Sequence, residues 1–124
     1  MAKIATHKDL RVYQLAFITA MEIYSISKSF PAEEKYSLTD QIRRSSRSVC
    51  ANLAEAFRKR RYPKHFISKL SDCEAEAAES QVWLDFALAC DYITTEDYEK
   101  LYKEYDMILG MLVRMIVEPE KWNL

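Results

Sequence analysis

The sequence predicts an all-α fold, an up-down-up-down antiparallel four-helix bundle, from three observations. Gly and Pro together supply only four of the 124 residues, Gly110, Pro31, Pro63 and Pro119. Tight hairpins and phosphate-cradling loops draw on glycine for positive-φ backbone, so β folds, P-loops and dinucleotide fingerprints are excluded. Apolar residues recur at three- and four-residue steps over four long stretches. The breaks between those stretches are short, and short loops make consecutive helices antiparallel. With 49% hydrophobic and 30% charged residues the composition is globular, and no repeat, low-complexity stretch or linker divides residues 1–124 into more than one domain.

The first helix is expected from about Asp9 to Ser29, where Leu10, Tyr13, Phe17, Met21 and Tyr24 share a face and Phe30-Pro31 ends the run. Val12, Leu15, Ala16, Ile23 and Ile26 form a second apolar face, so this helix is expected to be buried on both sides. Ser37 opens the second helix, its hydroxyl expected on a first-turn amide, with Leu38, Ile42, Val49, Leu53 and Ala56 as the stripe. That helix ends near Arg58 or Lys59, since Arg60 would otherwise return to the stripe, and Arg60, Arg61 and Tyr62 make the turn. Pro63 suits the first turn of the third helix, which runs to about Asp91 with Phe66, Leu70, Cys73, Ala77, Leu84 and Leu88 inward. Thr94 or Thr95 caps the fourth, whose stripe is Tyr98, Leu101, Tyr105, Ile108, Leu112 and Ile116, and Pro119 closes it. Met107, Met111 and Met115 add a second row, and Gly110, costing about 1 kcal/mol against Ala inside a helix, is read as a close approach of another helix.

Residues Met1 to Asp9 carry two Lys and no apolar signal core, and no apolar run reaches spanning length, so a cytoplasmic protein without a membrane partner is expected. Cys50, Cys73 and Cys90 have no CxxC spacing and read as buried, reduced thiols. A di-iron bundle needs Glu-x-x-His units, but Ile4 and Tyr62 stand three residues before the only histidines, His7 and His65. No metal and no cofactor are expected, and the Met row reads as core or interface filler rather than haem ligation. Neither Cys50 nor Cys73 has a histidine near it in sequence, and Asp72, Glu76 and Glu79, which share a face with Trp83, read as a solvated or salt-bridging row. No catalytic residue emerges and no enzyme is expected.

The net charge of −1 conceals an asymmetry. Residues 41–64 hold eight bases against Glu55 alone, a charge of +7, and residues 65–106 hold eleven acids against three Lys, a charge of −8. At about 100° per residue from Arg43, Arg47 falls near 40° and Arg58 near 60°, on the side away from the apolar stripe. Lys59, Arg60, Arg61 and Lys64 extend this basic surface at the turn, and Phe57, Tyr62 and Phe66 stand beside it as aromatic groups for stacking on unpaired bases. A neighbouring face carries Arg44, Ser48, Asn52 and Glu55, spaced to form a polar cluster that sets packing geometry.

Leu10-Arg-Val-Tyr-Gln, Phe30-Pro31 with Tyr36-Ser-Leu, and above all Gln41-Ile-Arg-Arg-Ser-Ser-Arg-Ser-Val running into Ala51-Asn-Leu-Ala-Glu-Ala carry a family likeness. With Phe66 to Leu70, Glu79 and Cys90-Asp-Tyr-Ile, the chain resembles, over nearly its whole length, the bacterial four-helix-bundle proteins encoded by 23S rRNA intervening sequences. The resemblance implies a bundle that assembles into a homopentameric barrel, a role on structured RNA or other nucleic acid, and no catalytic residues to carry over. Relatives of that family include accessory proteins of diversity-generating reverse transcriptases, in which a basic pentamer contacts enzyme and nucleic acid; a reverse transcriptase enters as a partner only through them. The family usually has Gly where this chain has Ala56 and Asp91.

The expectation is therefore a non-enzymatic homo-oligomer that holds RNA or DNA phosphates on Arg43, Arg47, Arg58, Lys59, Arg60, Arg61 and Lys64. The alternative is an interaction scaffold in which the basic second helix pairs with the acidic third helix of a neighbouring subunit or partner.

Overall fold

The computed structural model describes residues 4–122, so residues 1–3 of the amino-terminal segment read above lie outside the described residues. The described residues form four α-helices and no strand: α1 Arg11–Ser27, α2 Leu38–Arg58, α3 Pro63–Ala89 and α4 Thr95–Val117. Short 3₁₀ turns occupy His7–Asp9, Ala32–Glu34 and Pro119–Trp122. Helix α1 packs on α2 and α4, α3 packs on the same two, and the backbones of the diagonal pairs stay more than 8 Å apart. Cross-helix partners run in opposite directions: Ser27 and Tyr24 of α1 meet Arg43 and Arg47 of α2, and Ser45 and Glu55 of α2 meet Ser80 and Lys69 of α3. Gln81 and Asp85 meet Asp106 and Tyr98, and Thr19 and Glu22 meet Glu104 and Lys100. Every neighbouring pair is thus antiparallel.

Local chemistry explains the boundaries. Asp9 accepts the Thr6 amide at 2.9 Å while the Thr6 hydroxyl accepts the Lys8 amide, so the chain makes a separate turn there and α1 starts two residues later than expected. Ser37 stands at the start of α2, but its hydroxyl does not cap the helix; the Leu38 amide donates to Glu34 at 3.3 Å instead. Thr94 caps α4 by accepting the Asp97 amide at 3.1 Å. Helix α3 ends in a Schellman turn, with the Tyr92 amide on the Ala87 carbonyl and the Asp91 amide on that of Leu88. Asp91 takes φ 61°, a left-handed conformation for which Gly is the natural residue.

The core joins all four helices in one cluster that includes Ile23, Val49, Leu53, Leu70, Leu84, Tyr105 and Leu112. Of the two apolar faces of α1, only one is inside: Val12, Ala16, Ala20 and Ile23 are buried, whereas Phe17, Ile18 and Met21 are each about half exposed. Burial on both faces is therefore not met within one chain. The Met row divides, Met107 lying outside and Met115 in the core. Cys73 is buried, Cys50 half-buried and Cys90 exposed, so the reading of three buried thiols is corrected at Cys90. Gly110 is corrected too: it faces solvent, and a methyl group built there meets nothing within 4 Å.

Candidate nucleic-acid interface

Three cations surround one ring on the α1–α2 side of the bundle. The Lys28 ammonium lies 4.8 Å from the centre of the Tyr24 ring, the Arg43 guanidinium 4.9 Å and the Arg47 guanidinium 5.7 Å. Each is attracted to the ring face, an interaction of about 0.5–1 kcal/mol at an exposed site. Arg43 is further fixed by donating from Nε to the Ser27 hydroxyl at 2.8 Å, which leaves its other N–H groups free to meet a ligand.

Arg43 and Arg47 also line a groove of about 520 Å³, whose other walls include Lys35, Tyr36, Arg44 and Ser48. Asp40 is its single carboxylate. Among the described residues, the ion pairs are made by Lys69, Lys100 and Lys121, and no arginine lies within ion-pair distance of a carboxylate. The arginines of α2 thus make no ion pair with the acids of α3 among the described residues, although the charge of Arg44 acts on Glu76 across the helix pair.

The structure divides the expected basic surface into two patches. Arg47 and Arg58 stand eleven positions apart on one helix, about 16 Å along its axis, with Ala51 and Ala54 between them. Arg58, Lys59, Arg61 and Lys64 are exposed around the α2–α3 turn. Arg60 differs from them: its guanidinium lies 3.6 Å from the Phe57 ring centre and its Nε donates to the Phe57 carbonyl at 2.9 Å. Burial, helped by the charge of Arg58, lowers its pKa. Arg60 closes the end of α2 rather than adding a free cation.

The aromatic expectation is corrected as well. Phe57 and Phe66 are core residues, and only Tyr62 is exposed, packed edge-on against His65. The open aromatic of the basic region is Tyr36, 86% exposed and 5.4 Å from the Lys35 ammonium. Tyr24, Lys28, Lys35 and Tyr36 had no place in the sequence reading of this surface. Their signal was faint: a Tyr-x-x-x-Lys spacing at the end of α1 and a Lys-Tyr pair before α2.

The polar row on α2 does not close on itself. Arg44 and Glu55 are exposed and Ser48 and Asn52 half-buried, and the one partner formed is Lys69, 3.0 Å from Glu55. The buried polar contact between α2 and α3 is instead Ser45 to Ser80, their hydroxyls 2.8 Å apart, with the Tyr105 phenol buried beside Ser46 and Ser80. Burial raises the Tyr105 pKa. Among the described residues, no three His, Cys, Asp or Glu side chains are grouped to hold a metal, and no helix is long and apolar enough to cross a membrane.

The family described as 23S rRNA-intervening sequence protein matches residues 8–114, a span that includes the groove and both basic patches. A crystal structure of a protein of unknown function from the S23 ribosomal protein family of Bacteroides thetaiotaomicron VPI-5482 is similar at 31% identity and a TM-score of 0.76. The alignment covers 85% of this chain and 97% of that one. No curated protein matches. Neither the family nor this relative is described by an enzymatic activity.

Proposed function

Because the chain belongs to the 23S rRNA-intervening sequence protein family, we propose that it is a non-enzymatic homo-oligomer that holds RNA or DNA phosphates in the α2 groove. The observation that carries this reading is the set of Lys28, Arg43 and Arg47 around Tyr24, to none of which a carboxylate is paired among the described residues. Like charges held together repel, and a polyanion relieves that repulsion while releasing its own counterions. Arginine also meets phosphate with two parallel N–H groups, and Arg43 is already oriented for it by Ser27. The exposed Phe17, Ile18 and Met21 support self-association, since an apolar patch of this kind is normally covered. A pentamer, as the family resemblance implies, repeats the groove five times and turns a modest patch into a multivalent one.

Binding to a structured RNA at low salt, followed by fluorescence anisotropy, is the test. Replacing Arg43 and Arg47 by Ala is expected to weaken binding at least about tenfold and to lower the salt slope by about 1 for each phosphate left without its arginine. Arg58→Ala with Arg61→Ala should weaken it less. Light scattering on Arg43→Glu/Arg47→Glu separates the scaffold reading: dissociation of the oligomer without any RNA binding by the parent protein would make α2 a protein-pairing surface, and a monomeric parent would remove the oligomer.

A further inference from the structure

Beside the basic groove lies a second cleft, of about 430 Å³, between the start of α2 and the end of α3. Its walls include Tyr36, Leu38, Gln41, Trp83, Phe86 and Cys90. Trp83 and Phe86 stand with ring centres 6.0 Å apart and planes tilted by 37°, and Phe86 is 53% exposed. The Trp83 N–H is committed to Glu79 at 3.2 Å, so what the indole offers the cleft is apolar surface. The side-chain amide of Gln41, in the wall, makes no hydrogen bond among the described residues and keeps both a donor and an acceptor open.

Tyr36 joins the two features, since it lines both the groove and the cleft. On one side of this exposed ring are Lys35, Arg43, Arg44 and Arg47, and on the other an aromatic recess with one amide. Glu34 also borders the recess, but its carboxylate is occupied by the Tyr92 hydroxyl at 2.8 Å and the Leu38 amide. An anionic backbone therefore belongs on the arginine side and an uncharged planar group on the other.

We infer that the cleft takes an unpaired nucleobase of a strand whose phosphates run along the groove, so that the nucleic acid recognised is single-stranded at this point. The inference rests on the reading of the groove as a phosphate site. A duplex hides its base faces in the stack, whereas an unpaired base stacks on exposed aromatic side chains whatever its identity, and one amide then adds a modest preference at the base edge. Charge complementarity and the shared Tyr36 select this occupant over an apolar peptide, which has no use for four cations at the mouth of its site.

The experiment compares a decathymidine strand with an abasic strand of the same phosphate number at low salt, on the intact protein. The decathymidine strand is expected to bind about tenfold tighter. Phe86→Ala, at an exposed position that lines the cleft and not the groove and checked for unchanged helicity, is expected to remove that advantage and leave abasic binding as it was. Cys90 gives a second readout from inside the cleft: its exposed thiol should be shielded from iodoacetamide by the base-bearing strand and not by the abasic one. The other two thiols serve as internal references, because burial raises the pKa of Cys50 to about 11 and of Cys73 to about 12 and leaves little thiolate to react. Equal affinity for the two strands with equal Cys90 labelling would overturn the cleft and leave the phosphate groove standing. Failure of both strands to bind would overturn the groove, and the cleft with it.

Discussion

Along its edge with α4, helix α1 sets Glu22 and Thr19 against Lys100 and Glu104; along its edge with α2 it sets Tyr24 and Ser27 against Arg43 and Arg47. On the first edge one ammonium is shared by two carboxylates, Lys100 lying 2.6 Å from Glu22 and 3.4 Å from Glu104, with the buried Thr19 hydroxyl 2.9 Å from Glu104. On the second, cations meet only a ring face and a hydroxyl. One helix thus carries an ion-paired edge and an edge with surplus positive charge. Helix packing alone does not ask for that surplus, because the α4 edge packs without it. The surplus is what a polyanion can use, and the two edges should respond to perturbation in different observables.

The largest effect on stability is expected at the closed edge. Thr19→Val keeps the shape of the side chain and deletes a hydroxyl that is fully buried and shared between Glu104 and the Leu15 carbonyl. The partly buried Glu104 then loses a donor, and unfolding free energy in urea should fall by about 1–2 kcal/mol. Nucleic-acid affinity should not change. Arg43→Ala should shift the weight the other way, a loss of affinity with a smaller loss of stability, since it breaks no ion pair and gives up only the hydrogen bond to Ser27 and the contact with the Tyr24 ring, worth about 0.5–1 kcal/mol. If Thr19→Val weakened binding as much as Arg43→Ala, the division between the edges would be wrong.

Alkaline pH probes the α4 edge without mutation. The hydrogen bond to Glu22, followed by the charges of Glu104 and Glu22, raises the Lys100 pKa above its ordinary 10.5. The folded chain therefore holds this proton more tightly than the unfolded chain does. The resulting stability is fully present below about pH 10.5 and is lost as pH rises through the raised value. Tyr98, bonded to Asp85, and Tyr92, bonded to Glu34, are both pushed up to about 12 and titrate with the same sign, so the α3 contacts also weaken in strong alkali. A Lys100→Met variant isolates the α4 edge: it should be less stable than the parent at pH 8, and the gap should close as pH climbs past about 10.5. A gap that stays constant to high pH would show that Lys100 contributes packing rather than charge.

What the sequence made legible was local. Pro31, Pro63, Pro119 and Thr94 act within a turn of where they stand, and the helix ends followed them closely. The side of α2 that carries Arg43 and Arg47 followed from 100° steps, and so did its stripe. The face of α1 could not be read, because both of its stripes are apolar; the inward one carries the small Ala16, Thr19 and Ala20, which let the neighbouring helices approach, while the bulkier Phe17 and Met21 stay outside. Phe57 and Phe66 misled by adjacency: they follow or flank the basic run in sequence but turn inward where α2 and α3 join. The cation cluster needed tertiary structure, since Tyr24 and Lys28 come from another helix, and so did the groove, to which Lys35 and Tyr36 come from the approach to α2.

The smallest expected effect asks whether α4 is closed only toward α1. On that edge Lys100 and Glu104 are paired, but its outer face carries Gly110 between the exposed Met107 and Val113. A glycine inside a helix destabilises it by roughly 0.5–1 kcal/mol relative to Ala, through the freedom it has in the unfolded chain. Apart from the helix's own backbone, no atom of the described residues stands within 4 Å of the methyl group that Ala would add. Gly110→Ala should therefore raise the melting temperature by a few degrees, about what 0.5–1 kcal/mol gives for a domain of this size, with the same mass by light scattering. That outcome would leave the exposed Phe17, Ile18 and Met21 of α1 as the face through which copies associate. A variant that instead lost its assembly would place a second copy against Gly110, and the close helix approach that the glycine suggested would then be intermolecular.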